Sequence, residues 1–378
     1  MRVLAISYGR NLFVDSNPER ARMRECAGVV AELHIIVFAR NREGFTKVQD
    51  GNLTIYPTGG LTKVGMLIRG FLLGRKILKN ARSTTDFVIT TQDPFEAGLV
   101  GYFLACLYKI KLNLQEHGDF FSTNHWKKET IFNRWRFALG KFLLKRADTV
   151  RVVSVRMLTT MTKIGVAKDK LRILSVSVPL EKFLATREID FARKLFPPES
   201  VIILTVARIV AQKNLELLIK SFAVVGQTQP QARLLIIGTG VESKAIKQLA
   251  DNLGLLKLAD PKVIFLPWTD DVSGYMHSSD IYALSSNYEG YARVIPEAMA
   301  SGLPIVATDV GCVGEIFKHQ LHGLTVPVGD KVAFTSALTT LVKDAPLRLR
   351  FGTMGNLALA EANTMPTSYA DSWFATLT

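Results

Sequence analysis

Cysteine is scarce. Cys26, Cys106 and Cys312 are too few and too far apart in 378 residues for a disulfide scaffold or a cysteine zinc site, and they fit a reducing cytosol. Long apolar runs are missing as well. The best, 97–108, falls short of the ~18 uncharged residues a spanning helix needs, and it contains Gly98 and Gly101. The chain enters a strand-like run at Val3–Ser7 without the layout of a signal peptide. Repeats and low-complexity tracts are absent. Acidic residues are in deficit, with 33 Asp and Glu against 47 Lys and Arg, a formal charge of +14. That deficit is confined to one half. Residues 1–180 carry 29 Lys and Arg against 14 Asp and Glu, whereas residues 181–378 carry 18 against 19. The basic half therefore either meets an anionic partner (membrane phospholipid, a phosphorylated acceptor or nucleic acid) or simply keeps the chain soluble.

The composition is that of a folded protein. Hydrophobic residues make up 48%, charged residues 21% and aromatics 9%, which excludes disorder, and the length suits two domains. In the first half, β-branched or apolar runs at 3–7, 32–38, 53–56, 87–90, 112–115 and 149–154 predict strands. Helical stretches at 18–30, 61–81, 94–108, 128–146 and 155–164 lie between them. Residues 171–200 break this rhythm with Pro179, Pro197, Pro198 and many charges, as a connection between domains does. The alternation resumes with strands at 201–206, 234–237, 263–266, 281–284 and 305–308. Helices are predicted at 214–225, 242–253, 271–277 and 294–301, with late ones at 331–342 and 347–360. Alternating strands and helices mean α/β layers with parallel sheets. The expected domains are an N-terminal Rossmann-like domain at 1–175, a linker at 176–200 and a C-terminal Rossmann-like domain at 201–360. A tail or helix at 361–378 is expected to pack back on the first domain.

Open parallel sheets bind ligands past the carboxyl ends of their strands, so chemistry is expected just after strands. After 201–206, Arg208 and Lys213 either clamp one diphosphate, the Arg by its fork and the Lys as a point charge, or decorate a solvated loop. After 234–237, Gly238 and Gly240 permit either close backbone approach of a ligand or a tight turn. After 281–284, Glu289 falls in a loop and Glu297 in the first turns of a helix, since Pro296 fits only an early helical turn. Carboxylates placed so accept from sugar hydroxyls, or stabilise the helix dipole. After 112–115, His117 either serves an anion or a proton transfer, or is structural. Arg20, Arg22 and Arg24 face either an anionic acceptor or water.

Residues 275–327 resemble the signature region of retaining, nucleotide-sugar-dependent glycosyltransferases of family 4, the group 1 glycosyltransferases. The resemblance rests on Glu289 and Glu297 with seven residues between, on the run Glu297–Thr308, and on Gly311, Glu315, Gly323 and Leu324. It extends to Arg208, Lys213 and Gly238, and reaches the first half only through the strand pattern and His117. It implies the GT-B fold, two Rossmann-like domains facing across a cleft. Arg208 and Lys213 would then hold the donor diphosphate, Glu297 the ribose and Glu289 the sugar. Gly290, Tyr291, Ala292 and Val294 would give backbone contacts, Phe265 and Leu266 would flank the base, and His117 would stand at the reacting centre. Where Ala292 stands, the family often has Gly or Pro. Arg10, Asn11 and Asp119 are the acceptor-side candidates. Arg208 and Lys213 are expected in solvated surroundings, replaceable without harm to folding.

The implied reaction moves a sugar from a UDP- or GDP-sugar to a hydroxyl of a glycan or lipid-linked glycan with retention. No Asp-x-Asp pair occurs in the chain, so no metal or other cofactor is expected. The alternatives are a sugar-nucleotide epimerase, phosphorylase or hydrolase on the same fold, and a non-catalytic carbohydrate- or anion-binding protein. Nucleic acid is not expected as a partner, because basic and aromatic residues interleave only at 125–136. Cations and apolar residues mix in 61–82 and 126–146, the mark of an interfacial helix as well as of an ordinary outer helix. The expected location is the cytoplasm, with the basic half on an anionic membrane surface.

Overall fold

The computed structural model describes residues 1–81, 83–122, 124–185, 190–257, 259–362 and 368–378. The chain divides into two compact units, Met1–Ser175 with Pro366–Thr378, and Val176–Met365.

In the first unit, strands β1 (Arg2–Ser7), β2 (Glu32–Val37), β3 (Val48–Asp50), β4 (Leu53–Pro57), β5 (Phe87–Thr91), β6 (Lys111–Glu116), β7 (Thr149–Val152) and β8 (Leu171–Ile173) form one sheet. Its order is β3-β4-β2-β1-β5-β6-β7-β8, parallel except for the edge pair β3–β4. The helices are α1 (Pro18–Gly28), α2 (Lys63–Asn80), α3 (Glu96–Tyr108), α4 (Asn124–Glu129), α5 (Ile131–Arg146) and α6 (Val155–Lys163). The second unit holds α7 (Glu181–Leu184), β9 (Val201–Val206), α8 (Leu215–Thr228), β10 (Ala232–Ile237), α9 (Ser243–Asn252), β11 (Val263–Leu266), α10 (Val272–His277) and β12 (Ile281–Leu284). It continues with α11 (Val294–Ala300), β13 (Ile305–Thr308), β14 (Gly323–Val326), α12 (Lys331–Lys343) and α13 (Ala345–Ala362). Its sheet is wholly parallel in the order β11-β10-β9-β12-β13-β14, with an apolar cluster on each face. Central strands buried on both faces explain runs such as Leu234–Ile237 that do not alternate.

Three expectations change. The stretch 176–200 is no linker. Leu180, Phe183, Ala192 and Phe196 join the second unit's core, Ala192 N donates to Ser278 Oγ at 3.0 Å, and Arg193 pairs with Asp280 at 2.6 Å. Within it, 186–189 lie outside the described residues. The helix expected over 128–146 is two helices, because Thr130 turns extended and caps α5, accepting from Asn133 N at 3.2 Å. The arginines of α1 have partners within the first unit, and only Arg20 is buried. Arg20 and Arg24 pair with Asp15 and Asp50, and Arg22 lies 5.5 Å from the Tyr369 ring.

The C-terminal helix α14 (Tyr369–Ala375) completes the first unit. Trp373 and Leu377 sit in the same apolar cluster as Val3, Leu33 and Ile55. The fully buried Asn113 Nδ2 donates to Thr376 O at 2.9 Å, and Arg151 donates to the Tyr369 hydroxyl at 2.9 Å.

Candidate functional site

In the second sheet the chain runs outward from β9 to β11, then returns to place β12, β13 and β14 on the other side. The order reverses between β9 and β12, where a doubly wound sheet opens a crevice at its carboxyl ends. Two loops meet there, 207–214 and 285–293. Asn287 N donates to Gln212 O at 2.8 Å, Asn287 Nδ2 to Ala211 O at 3.1 Å, and Ser285 Oγ to Lys213 O at 2.9 Å. Asn214, at φ 46°, donates to Asn287 Oδ1 at 2.9 Å and caps α8.

These bonds fix a charged cluster. The Lys213 ammonium donates to the buried Glu289 carboxylate. Ser286 Oγ donates to the same carboxylate oxygen at 2.7 Å. Gln212 Nε2 donates to Tyr288 O at 3.0 Å and reaches Glu289 Oε2 at 3.5 Å. Arg208 stays exposed, 3.5 Å from Gln212 Oε1. Arg208, Lys213 and Glu289 are thus brought together. The expectation of a solvated surrounding holds for Arg208 but not for Lys213, whose charge is committed to a buried partner. Gln212 and Ser286 have no signal in the sequence, because their place depends on β9 lying beside β12.

Glu297 is half-buried in α11, and burial pushes its carboxyl up to about 7 against the opposing charge of Arg293. Burial likewise raises the Tyr282 phenol, with Glu297 and Glu289 adding to the effect. That hydroxyl donates to Val206 O at 3.2 Å, at the carboxyl end of β9. Tyr282 is fully buried, and its hydroxyl ties β12 to the end of β9 beneath the loops.

Between the carboxylates, Gly290 is buried, Tyr291 O accepts from Cys312 N at 2.9 Å, and Val294 opens α11. Ala292 has φ 66°, a left-handed conformation that strains any residue with a Cβ. Gly238, at φ 141°, is required by its neighbour: a Cβ there would stand 2.0 Å from Ala207 O. Its freedom serves the close approach of loop 238–240 to loop 207–209, tied by Ile209 N to Thr239 O at 2.9 Å. Phe265 and Leu266 end β11, but adjacent strand residues face opposite sides. Phe265 packs on one apolar cluster beneath Lys247, 5.6 Å from its ring, and Leu266 on the other.

In the first unit the strand order reverses between β1 and β5. The loops leaving β1, β2, β5 and β6 line a cavity of about 480 Å³. Arg10 lines it, paired with Glu43 at 2.9 Å. Asn11 is exposed on a short 3₁₀ turn and is not part of the lining. Nor is Asp119, which is buried at φ 52° and accepts from Ser122 Oγ at 2.6 Å. Burial raises its carboxyl to about 6.

His117 turns inward, its Nε2 2.9 Å from Gln115 Oε1. Arg151 donates to the same oxygen at 3.0 Å, so that oxygen is an acceptor and Nε2 carries the proton. Burial, with Arg151 and Arg22 adding to it, lowers the imidazole to about 3, which leaves it neutral at physiological pH. Among the described residues, no group of three or more His, Cys, Asp or Glu gathers as a metal site, and no helix is long and apolar enough to cross a membrane.

Two family models together cover most of the chain: glycosyltransferase family 4 matches 24–182 and glycosyl transferases group 1 matches 186–357. An uncharacterised glycosyltransferase of Haemophilus influenzae is 33% identical over 165 residues, 43% of this chain and 46% of that protein. The lipopolysaccharide core biosynthesis glycosyltransferase LpsE of Rhizobium meliloti is 28% identical over 192 residues, 51% of this chain and 53% of that protein. The chain spans about half the length of the curated relatives it matches. Among solved structures, Anabaena HepE in complex with UDP superposes with TM-score 0.76 at 18% identity, covering 100% of this chain and 99% of that one. Sucrose-phosphate synthase of Thermosynechococcus elongatus superposes with TM-score 0.78 at 18% identity, covering 100% and 96%. The fold is therefore GT-B, and the chain belongs to the family 4, group 1 glycosyltransferases.

Proposed function

We propose that the protein transfers a sugar from a nucleoside diphosphate sugar to an acceptor hydroxyl. The observation that carries this reading is the cluster of Arg208, Lys213 and Glu289 at the β9–β12 reversal, with Glu297 beside it. Arg208 is free to take a diphosphate oxygen. Lys213 bridges that position and Glu289. The nucleoside diphosphate leaves with charge building on its β-phosphoryl oxygens, and these two cations stabilise that charge. A partly ionised Glu297 accepts from ribose hydroxyls. The edge strand β11 lies two strand spacings from β9, ~10 Å, which suits a base displaced from the diphosphate.

Transfer goes with retention by front-face attack. The anomeric carbon–phosphate oxygen bond breaks as the acceptor oxygen bonds to the same face, and the acceptor proton passes to the departing phosphate. Without an Asp-x-Asp pair to hold a divalent ion, Arg208 and Lys213 take its part, and the reaction needs no metal. Uracil is the favoured donor base, since HepE was solved with UDP and with UDP-glucose. The acceptor is a glycan or lipid-linked glycan met on the cytoplasmic side of a membrane.

A thermal-shift panel of UDP-, GDP- and ADP-sugars tests the reading. One base should raise the melting temperature by mass action, and Arg208→Ala should abolish the shift. No shift with any of them overturns it.

A further inference from the structure

Two arginines of the first unit meet in a small internal space. A cavity of about 70 Å³ lies against the face of the sheet at Ile35, Thr90 and Gln115, with Arg22 of α1, Arg151 of β7 and Tyr369 of α14 around it. Arg151 is only 3% exposed. Its guanidinium lies 5.7 Å from the centre of the Tyr369 ring, and that of Arg22 lies 5.5 Å from the same ring. No Asp or Glu lines the cavity, and neither arginine has a carboxylate at ion-pair distance among the described residues.

The hydrogen bonds leave this charge uncompensated. Arg151 donates only to neutral acceptors: Leu174 O at 3.2 and 3.4 Å, Gln115 Oε1 at 3.0 Å and the Tyr369 hydroxyl at 2.9 Å. Those four bonds leave one of a guanidinium's five N–H groups. Arg22 Nε is buried with no hydrogen-bond partner. The neutral donors of the lining are engaged elsewhere, Ser7 Oγ with Gln92 at 2.6 Å and Thr90 Oγ1 with Asn113 at 2.7 Å. Burial pulls the Arg151 guanidinium below its ordinary value, and Arg22 adds to that pull against the opposing Tyr369 hydroxyl. Two like charges away from water, without a countercharge, destabilise the fold around them. An anion between them supplies what is missing. Water occupies about 30 Å³ per molecule in the liquid, so the cavity has room for about two such molecules. That admits a small inorganic ion and excludes a sugar or a nucleotide.

We propose that an anion the size of chloride binds between Arg22 and Arg151 and fastens α14 to the first unit. Tyr369 is the link, because its ring stands by both guanidiniums and its hydroxyl accepts from one of them. Neutralising the pair relieves the repulsion between the two cations that this ring must hold together.

The test uses the full chain in sodium gluconate, whose anion is too large for the cavity. Chloride then replaces gluconate at constant ionic strength, so that general screening does not change. The melting temperature should rise saturably by at least about 2 °C, as expected for a ligand held by the folded state alone. Hydrogen exchange at the amides of 369–376 should slow at least threefold. Arg22→Met should lose both responses. Arg24→Met should keep them, since Arg24 pairs with Asp15 and Asp50 and does not line the cavity. Bromide stands in for chloride in crystals of the unmodified chain, and its anomalous signal should peak between Arg22 and Arg151. That peak decides the matter even if Arg22→Met does not fold. A melting temperature indifferent to chloride, an equal rise in Arg22→Met, or no bromide peak between the two arginines overturns the proposal.

Discussion

Lys213 and Glu289 are 76 residues apart in the chain and share one ion pair, closed by Ser286 and Gln212. The pair ties together two loops from adjacent strands, so a residue expected to serve only the donor also holds the site's shape. Breaking such a pair leaves a buried carboxylate without its countercharge.

Lys213→Ala should therefore lower stability by up to about 3 kcal/mol, whereas Arg208→Ala should stay within about 0.5 kcal/mol. Both should cut transfer by roughly two to three powers of ten. Urea unfolding beside an initial-rate assay reads both. Lys213→Met combined with Glu289→Gln should regain most of the stability but none of the transfer. Equal stability of the two single variants would mean the ion pair does not hold the loops.

Glu297 gives a pH signature. Its folded carboxyl titrates near 7, above the ordinary 4.5, so the folded state holds the proton more tightly than the unfolded one. The stability this contributes is full below about pH 4.5 and lost as pH rises through 7. Glu297→Gln removes that loss. The variant should melt higher than the parent at pH 8, with the gap closing toward pH 5, while its UDP affinity falls. Melting curves across that range decide it, and a constant gap would refute the shifted carboxyl.

Backbone conformation gives a third. Gly238→Ala should cost about 2 kcal/mol or more, since its Cβ has no room beside Ala207 O. Ala292→Gly should raise stability by a few tenths to about 1 kcal/mol by relieving the left-handed strain at φ 66°. Denaturation midpoints read both signs.

The fourth concerns the membrane. Ile131, Phe132 and Trp135 on α5 are 78%, 75% and 67% exposed, and Lys128, Arg134, Lys141 and Lys145 flank them. On α2, Val64, Ile68 and Leu72 are exposed beside Arg69, Arg75 and Lys76. Trp126 does not belong to this face, being buried among Phe95 and Phe120, and Arg82 lies outside the described residues. Each cation near an anionic leaflet contributes about 1 kcal/mol. Cosedimentation should show binding to phosphatidylglycerol vesicles but not to phosphatidylcholine, weakening steeply with salt. Trp135→Ala with Phe132→Ala should weaken it at least fivefold. Equal binding to both lipids, or none at low salt, refutes it.

Much of this was legible in the sequence because it is local. The strands ending at Val206, Leu266, Leu284 and Thr308 show as compact apolar runs, and the site residues follow them. The edge strands β3, β8 and β14 escaped, since Gln49 and Asp50, Arg172, and Gly323 and Thr325 break up their apolar pattern. Residues 176–200 read as a linker because prolines and charges obscure Leu180, Phe183 and Phe196, whose burial depends on elements far along the chain. Gln212 and Ser286 acquire meaning only from the β9–β12 neighbourhood. Such facts belong to tertiary pairing.

The return of α14 to the first unit sets an order of assembly. Tyr369 leaves the ribosome 194 residues after Ser175, roughly 10–40 s later at ~5–20 residues per second. Until then, the cluster around Val3, Leu33 and Ile55 lacks Trp373 and Leu377, and Asn113 lacks the Thr376 carbonyl. The second unit, continuous in sequence, receives its last core residue, Leu359, ten residues before Tyr369. The part of the chain made first is thus finished last, and a nascent chain stalled before Tyr369 exposes an unfinished apolar face to chaperones and proteases.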